Sequence, residues 1–190
     1  MLQVYTGDGK GKTTAAVGLA IRSLGAGHKV YFAQFMKGLA YSEQDILKKF
    51  SPQLVLQTTG KPYFIAKEGM LTAEQIRAWG DMLRVYKPGH PPRDYVELTE
   101  KLLAQVLTAV KGGEFSLVVL DEINMALFYE LIGKQQLQSF LSAVPSATEI
   151  VCTGRRAPDW LCQRADLITE MKEVKHYFQQ GIQARKGIEN

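Results

Sequence analysis

Thr6-Gly7-Asp8-Gly9-Lys10-Gly11-Lys12-Thr13-Thr14 stands a few residues into this 190-residue chain. It follows the apolar run Leu2-Gln3-Val4-Tyr5 and leads into an alanine-rich pattern, Ala15 to Leu24, that reads as a helix. Strand, glycine-rich turn and helix together form the context in which a phosphate-binding loop works, since backbone N–H groups converge on an anion at the helix N-terminus. The usual pattern is Gly-x-x-x-x-Gly-Lys-Ser/Thr, and Thr6 stands where its first glycine should be. Gly7, Gly9 and Gly11 keep the turn permissive around Asp8 and Lys10. In such a loop Lys12 reaches the outer phosphates, while Thr13, followed by Thr14, offers its hydroxyl to Mg²⁺. A glycine-rich turn that happens to carry lysines is the plainer alternative. It is disfavoured because Gly-Lys-Thr falls at the helix start, and the stretch predicts a nucleoside triphosphate site.

Outward from the loop, the chain alternates strand and helix patterns. Lys29–Phe35 and Leu54–Gln57 read as strands, with a helix over Ser42–Phe50 capped by Ser42. Thr59–Gly69 is aromatic and interrupted by proline, so it reads as an irregular loop. Thr72-Ala73-Glu74-Gln75 has the form of a capping box and predicts a helix to about Tyr86. A second box at Asp94-Tyr95-Val96-Glu97 opens a helix that Gly112-Gly113 ends. The continuous apolar run Phe115–Leu120 is expected of a strand covered on both faces, and Asp121-Glu122 follows it directly. Helices over Met125–Ile132 and Lys134–Leu141 come next, then strands at Thr148–Cys152 and Asp166–Glu170, with Pro158 opening a helix between them. The expected fold is α/β: a three-layer phosphate-loop (RecA-like) domain with a mainly parallel sheet over residues 1–190, of which 174–190 form a polar, basic tail.

Composition narrows the function classes. With 46% hydrophobic and 22% charged residues the chain can build a core, and a net charge of +4 suits an anionic ligand. The basic residues are dispersed, so no nucleic-acid stripe is expected, and no apolar run has membrane-spanning length. Cys152 and Cys162 have no zinc-type spacing and read as reduced core cysteines, which with the strand-first N-terminus predicts a cytoplasmic protein.

In an open parallel sheet the ligand lies beyond the carboxyl ends of the strands. Those ends supply the phosphate loop, Gln34–Lys37, Thr58–Gly60, Asp121-Glu122 and Thr153–Arg156. An apolar strand running into two acids is the form of the Mg²⁺-binding strand, with Asp121 and Glu122 not separable by sequence; a strand-end aspartate that caps the next helix is the alternative. Arg155 and Arg156 would add charge on the triphosphate, one of them facing it. Arg22 lies nearly three turns beyond Lys12 and reaches the nucleotide only by a long span or from a neighbouring subunit; a surface role is the default. No serine–histidine–aspartate set or histidine cluster is legible, and Glu122 is the one candidate base. A hydrolase or kinase wants such a group, whereas a reaction with an already potent nucleophile does not. A phosphate-loop ATPase or small-molecule kinase, and a regulatory module without turnover, both stay open on these residues.

The chain as a whole resembles the ATP:corrinoid adenosyltransferases. The likeness is carried by Thr6–Ala16, by Gln34-Phe35-Met36-Lys37-Gly38 and by Val118-Val119-Leu120-Asp121-Glu122. Thr153-Gly154-Arg155, Val174-Lys175-His176-Tyr177-Phe178, Gly181 and Gly187-Ile188 continue it to the end. The family also begins its loop with Thr-Gly-Asn/Asp-Gly. The resemblance implies that Co(I) of a corrinoid attacks the 5′ carbon of ATP and the whole triphosphate leaves, with Lys12, Thr13, Mg²⁺ and Arg155 neutralising its charge. It also implies apolar residues against the corrin face, a flavodoxin-like electron donor and a homodimer. Some members place a Phe-x-Trp pair after the third strand; here Gly60-Lys61-Pro62-Tyr63-Phe64 stands there, making Tyr63 or Phe64 the candidate for the corrin face.

Overall fold

The computed structural model describes residues 1–189, and of Phe178 the backbone alone; Asn190 and the Phe178 side chain, both in the expected tail, lie outside the described residues. The chain enters at strand β1 (Leu2–Thr6), turns through the glycine-rich loop and forms helix α1 (Lys12–Gly25). Strand β2 (Val30–Gln34), helix α2 (Ser42–Leu47) and strand β3 (Leu54–Thr58) follow. Tyr41 takes the cap position of α2, and Ser42 is its first helical residue.

Two expectations fail between β3 and the next long helix. Within Thr59–Gly69, Phe64–Lys67 forms strand β4. The Thr72 capping box is real, with Gln75 N–H donating to Thr72 Oγ1 at 3.2 Å, but its helix α3 covers only Ala73–Trp79. Gly80 breaks it at φ 51°, and Leu83–Tyr86 becomes strand β5, parallel to β4 in a separate two-stranded sheet. Tyr86 and Ile65 fix this small sheet to the core, and the Tyr86 hydroxyl donates to the Tyr129 carbonyl at 2.7 Å.

Helix α4 (Arg93–Val110) starts from Pro92, not from a box at Asp94, whose carboxylate instead binds Lys61 at 2.8 Å. Strand β6 (Leu117–Asp121), helices α5 (Ile123–Phe128) and α6 (Lys134–Ala143), strand β7 (Glu149–Thr153), helix α7 (Asp159–Arg164) and strand β8 (Leu167–Glu170) complete the chain. The main sheet has the order β3-β2-β6-β7-β1-β8, with every pairing parallel. One strand, β7, separates the loop-bearing strand from the acidic one, which is the RecA-like arrangement.

Successive strand residues point to opposite faces, and the core divides accordingly. Val4, Tyr31, Ala33, Val118 and Leu120 pack on the α4–α7 side. Tyr5, Val30, Phe32, Leu117 and Val119 pack on the side of α1 and α2, where Ala16 and Ala20 form the buried stripe of α1. Side chains such as Phe32 and Leu120, buried completely, contribute about 1.5–3 kcal/mol each. This double cover holds the carboxyl ends of β1, β2, β6 and β7 as a rigid rim. Among the described residues no helix is long and apolar enough to cross a membrane.

Candidate active site

The rim is where most of the residues expected to hold the triphosphate meet. A cleft of about 770 Å³ is lined by Asp8–Thr14, Lys37, Tyr41, Glu122 and Arg155, and His176 and Gly187–Glu189 of the C-terminal stretch also line it. The loop is seated on the end of β8. Gly9 N–H donates to the Met171 carbonyl at 2.7 Å, and a Cβ on Gly7 would meet that same oxygen at 2.4 Å. Lys12 opens α1 and turns back over the loop, donating to the carbonyls of Gly7 at 2.7 Å and Gly9 at 2.6 Å. Burial, with Arg155 nearby, presses its pKa below the ordinary lysine value. An ammonium in this setting gains from an anion close by.

Thr13 faces the acidic strand. Its hydroxyl donates to Asp121 Oδ1 at 2.9 Å, and Thr153 donates to the same oxygen at 2.6 Å. Gln34 reaches Asp121 Oδ2 at 3.1 Å, so this fully buried carboxylate lies behind Thr13, away from the cleft surface. Glu122 takes the other role. With φ 63° it leaves the strand in a left-handed turn, and its side chain lines the cleft. Burial raises its carboxyl pKa, Asp121 adds to the rise, and Lys37, Lys12 and Arg155 oppose it. A hydroxyl and a carboxylate lining one cleft with an anion site fit Mg²⁺, which takes oxygen ligands and keeps most of its waters.

The two arginines after β7 separate. Arg155 lines the cleft, and Asn124 steadies the turn before it by donating to the Gly154 carbonyl at 2.9 Å. Arg156, at φ 55°, lays its guanidinium over the Phe128 ring instead, 4.6 Å from the centroid. Lys10 faces the tail, 3.0 Å from Glu189 and 3.3 Å from the Tyr177 hydroxyl. Tyr177 and Arg185 also bind Glu189, and these bonds, Arg185 foremost, hold its carboxyl well below the usual range. Arg22 is exposed on α1 and is not among the described residues lining the cleft.

Tyr63 and Phe64 lie in a different cavity. An aromatic pocket of about 90 Å³ is lined by both, with Met36, Pro62, Met82 and Tyr95 among its other walls. Tyr63 meets Tyr95 edge-on at 5.9 Å and carries the Arg84 guanidinium on its face at 3.8 Å. Phe64 is 45% exposed and leans on Trp79 at 4.8 Å. Tyr41 lines this pocket as well as the cleft, and so forms their common wall.

Three residues at that wall received no role from sequence: Lys37, Tyr41 and Glu43. Lys37 is mostly buried, at 12% side-chain exposure, 3.5 Å from Glu43 and 3.7 Å from Asp121, with its ammonium 4.2 Å from the Tyr41 ring centroid. Burial presses its pKa down, but Asp121 and Glu43 outweigh that and hold it above the ordinary value. A signal for this corner was present in two glycines. A Cβ on Gly38 would meet the Lys61 carbonyl at 2.3 Å, and one on Gly60 would meet Gly38 N at 2.2 Å. The loops after β2 and β3 are thus pressed together, with Lys37 N–H donating to the Thr59 carbonyl at 2.7 Å.

The whole chain, residues 1–190, matches the family described as ATP:corrinoid adenosyltransferase BtuR/CobO/CobP. It is 34% identical over 189 residues to a corrinoid adenosyltransferase of Pseudomonas aeruginosa, covering 100% of this chain and 83% of that protein. A corrinoid adenosyltransferase of Sinorhizobium sp. is 35% identical over 192 residues, covering 100% of this chain and 79% of its own length. Corrinoid adenosyltransferase CobA of Salmonella typhimurium is 29% identical over 187 residues, at 98% and 83% coverage. The crystal structure of the RadB recombinase superposes with a TM-score of 0.45 at 18% identity, over 92% of this chain and 75% of that one, which is too loose to carry an argument. With the match running end to end, the chain belongs to the ATP:corrinoid adenosyltransferase family.

Proposed function

We propose that this chain transfers the 5′-deoxyadenosyl group of ATP to the Co(I) centre of a corrinoid and releases triphosphate, a step toward adenosylcobalamin. The observation that carries this reading is the pairing of a cation-lined polar cleft with an aromatic pocket across one shared residue, Tyr41. A polyanion and a large apolar ring system would meet there.

The phosphate loop, Gly7 to Thr14, would hold the triphosphate through backbone N–H groups, and Lys12 and Arg155 would offset the charge it gains on leaving. Mg²⁺ would be held by Thr13 and Glu122 and would supply Lewis-acid stabilisation of the departing phosphates. Asp121 would act behind them, orienting the Thr13 hydroxyl as an acceptor of its proton. Tyr63 and Phe64 would face the corrin. The nucleophile is the metal centre of the substrate, so the protein has no proton to remove from it. Its work is alignment of cobalt, carbon and leaving oxygen, and exclusion of water. A low-potential, flavodoxin-like electron donor, a homodimer that could bring Arg22 of a second copy to a nucleotide, and a cytoplasmic setting belong to the same reading.

The test is the identity of the phosphorus product. Phosphorus NMR of a reaction with ATP, Mg²⁺ and reduced corrinoid should show triphosphate accumulating; ADP with inorganic phosphate would replace this reading with an ATPase in which Glu122 orients water.

A further inference from the structure

We propose that Lys37 is a catalytic residue of this reaction, the cation that stabilises the phosphate oxygen departing from the 5′ carbon. The inference rests on the adenosyl-transfer reading above and goes beyond the phosphate-loop residues.

The position of Lys37 is tightly determined. Met36, the residue before it, sits at φ 59°, a conformation that a methionine adopts only when its surroundings hold it there. The contact between Gly38 and Gly60, and the bond from Lys37 N–H to Thr59, supply that hold. Bringing a lysine side chain to 12% exposure is costly unless its charge is offset by a partner.

The acids around it offset the burial of its charge without closing a short ion pair. Its separations from Glu43, 3.5 Å, and Asp121, 3.7 Å, are long for a committed salt bridge. Asp121 already accepts from Thr13, Thr153 and Gln34 at 2.9, 2.6 and 3.1 Å. The ammonium is held near the acidic strand while it lines the cleft.

Its place along the cleft assigns the role. Lys12 and Arg155 stand at the phosphate-loop end, while Lys37 lies against Tyr41, the wall shared with the aromatic pocket. The bond to be broken must lie where nucleotide and corrinoid meet. Cobalt contributes its electron pair to a new Co–C bond, the C–O bond breaks, and that pair goes to the phosphate oxygen with no proton transferred. The new negative charge therefore appears at the Tyr41 end, where Lys37, lining the cleft against the Tyr41 ring, is placed to offset it.

Lys37→Met and Lys37→Arg, compared with the unaltered chain, test this by separating kcat from KM and from equilibrium ATP binding, with melting behaviour measured on each preparation. Lys37→Met should lower kcat about 100-fold, in the range of a lost oxyanion-type donor, with KM and equilibrium ATP binding largely intact. Lys37→Arg should recover part of the rate. A fall in ATP binding and melting temperature that runs parallel to the rate, with no recovery by Lys37→Arg, would mean a structural role and overturn the proposal, as would an unchanged rate. Should Lys37→Met yield no folded protein, Lys37→Gln tests the same loss against the same readouts. If the unaltered chain transfers nothing to cobalt, the adenosyl-transfer reading itself has failed, an outcome distinct from a normal Lys37→Met rate.

Discussion

The two sides of the site are built in contrasting ways. The polar cleft rests on strands β1, β6 and β7, whose residues are buried on both faces, so its backbone donors and Asp121 are held by the middle of the sheet. The aromatic pocket rests on the 59–63 loop and the two-stranded β4–β5 sheet, which leaves Phe64, Trp79, Met82 and Val85 each at least 38% exposed. One side offers fixed charges at fixed points, as stabilisation of a leaving group requires. The other offers adaptable apolar surface, suited to a bulky partner that must enter and leave.

The comparison can be broken at each wall, and the largest effect should come from the cleft. Lys12→Ala should reduce adenosyl transfer by about 1000-fold while the circular dichroism spectrum and melting behaviour stay near those of the unaltered chain. Normal transfer would remove the loop from the mechanism.

Gly38→Ala strikes the seam between the two sides. The added methyl would meet the Lys61 carbonyl at 2.3 Å, and backbone cannot yield as a side chain can. A stability loss of about 1–3 kcal/mol in urea unfolding is expected, as for overpacking elsewhere. An undisturbed midpoint would mean that the 36–38 and 59–61 loops are free to separate.

Tyr63→Ala should separate the sides cleanly, raising the KM for corrinoid about tenfold, a typical worth for an apolar pocket contact, with ATP affinity unchanged. A change in ATP affinity instead would deny that the pocket serves the second substrate. The smallest effect belongs to Arg22→Ala. Its exposed place on α1 predicts an ATP affinity, by calorimetry on the monomer, within about 0.5 kcal/mol of the unaltered chain. A loss that appears only with formation of a dimer at higher concentration would show that a second copy supplies this arginine.

The same contrast explains what could be read from the residues alone. Short patterns carry the cleft: the Gly-Lys-Thr start of α1 and the apolar run into Asp121 act through backbone geometry that the local sequence dictates. Sequence left Asp121 and Glu122 equivalent, because their difference lies in the left-handed turn at Glu122 that sends one side chain behind Thr13 and the other to the cleft. The aromatic side is harder to read because its elements are short. Over Leu83–Tyr86 four residues are too few to separate a period of two from one of 3.6, so the helix pattern runs on through the break at Gly80. Phe64–Lys67 was hidden by Pro62 in the same way. Lys37 went without a role because its meaning depends on Asp121 and Tyr41, which only the folded sheet brings beside it.

The most direct test is anaerobic incubation of the chain with ATP, Mg²⁺ and chemically reduced corrinoid, following the corrin absorbance. The account predicts that the Co(I) spectrum gives way to that of an alkylated, light-sensitive Co–carbon product, with one triphosphate formed per corrinoid. Persistence of the Co(I) spectrum while ATP is converted to ADP would contradict it.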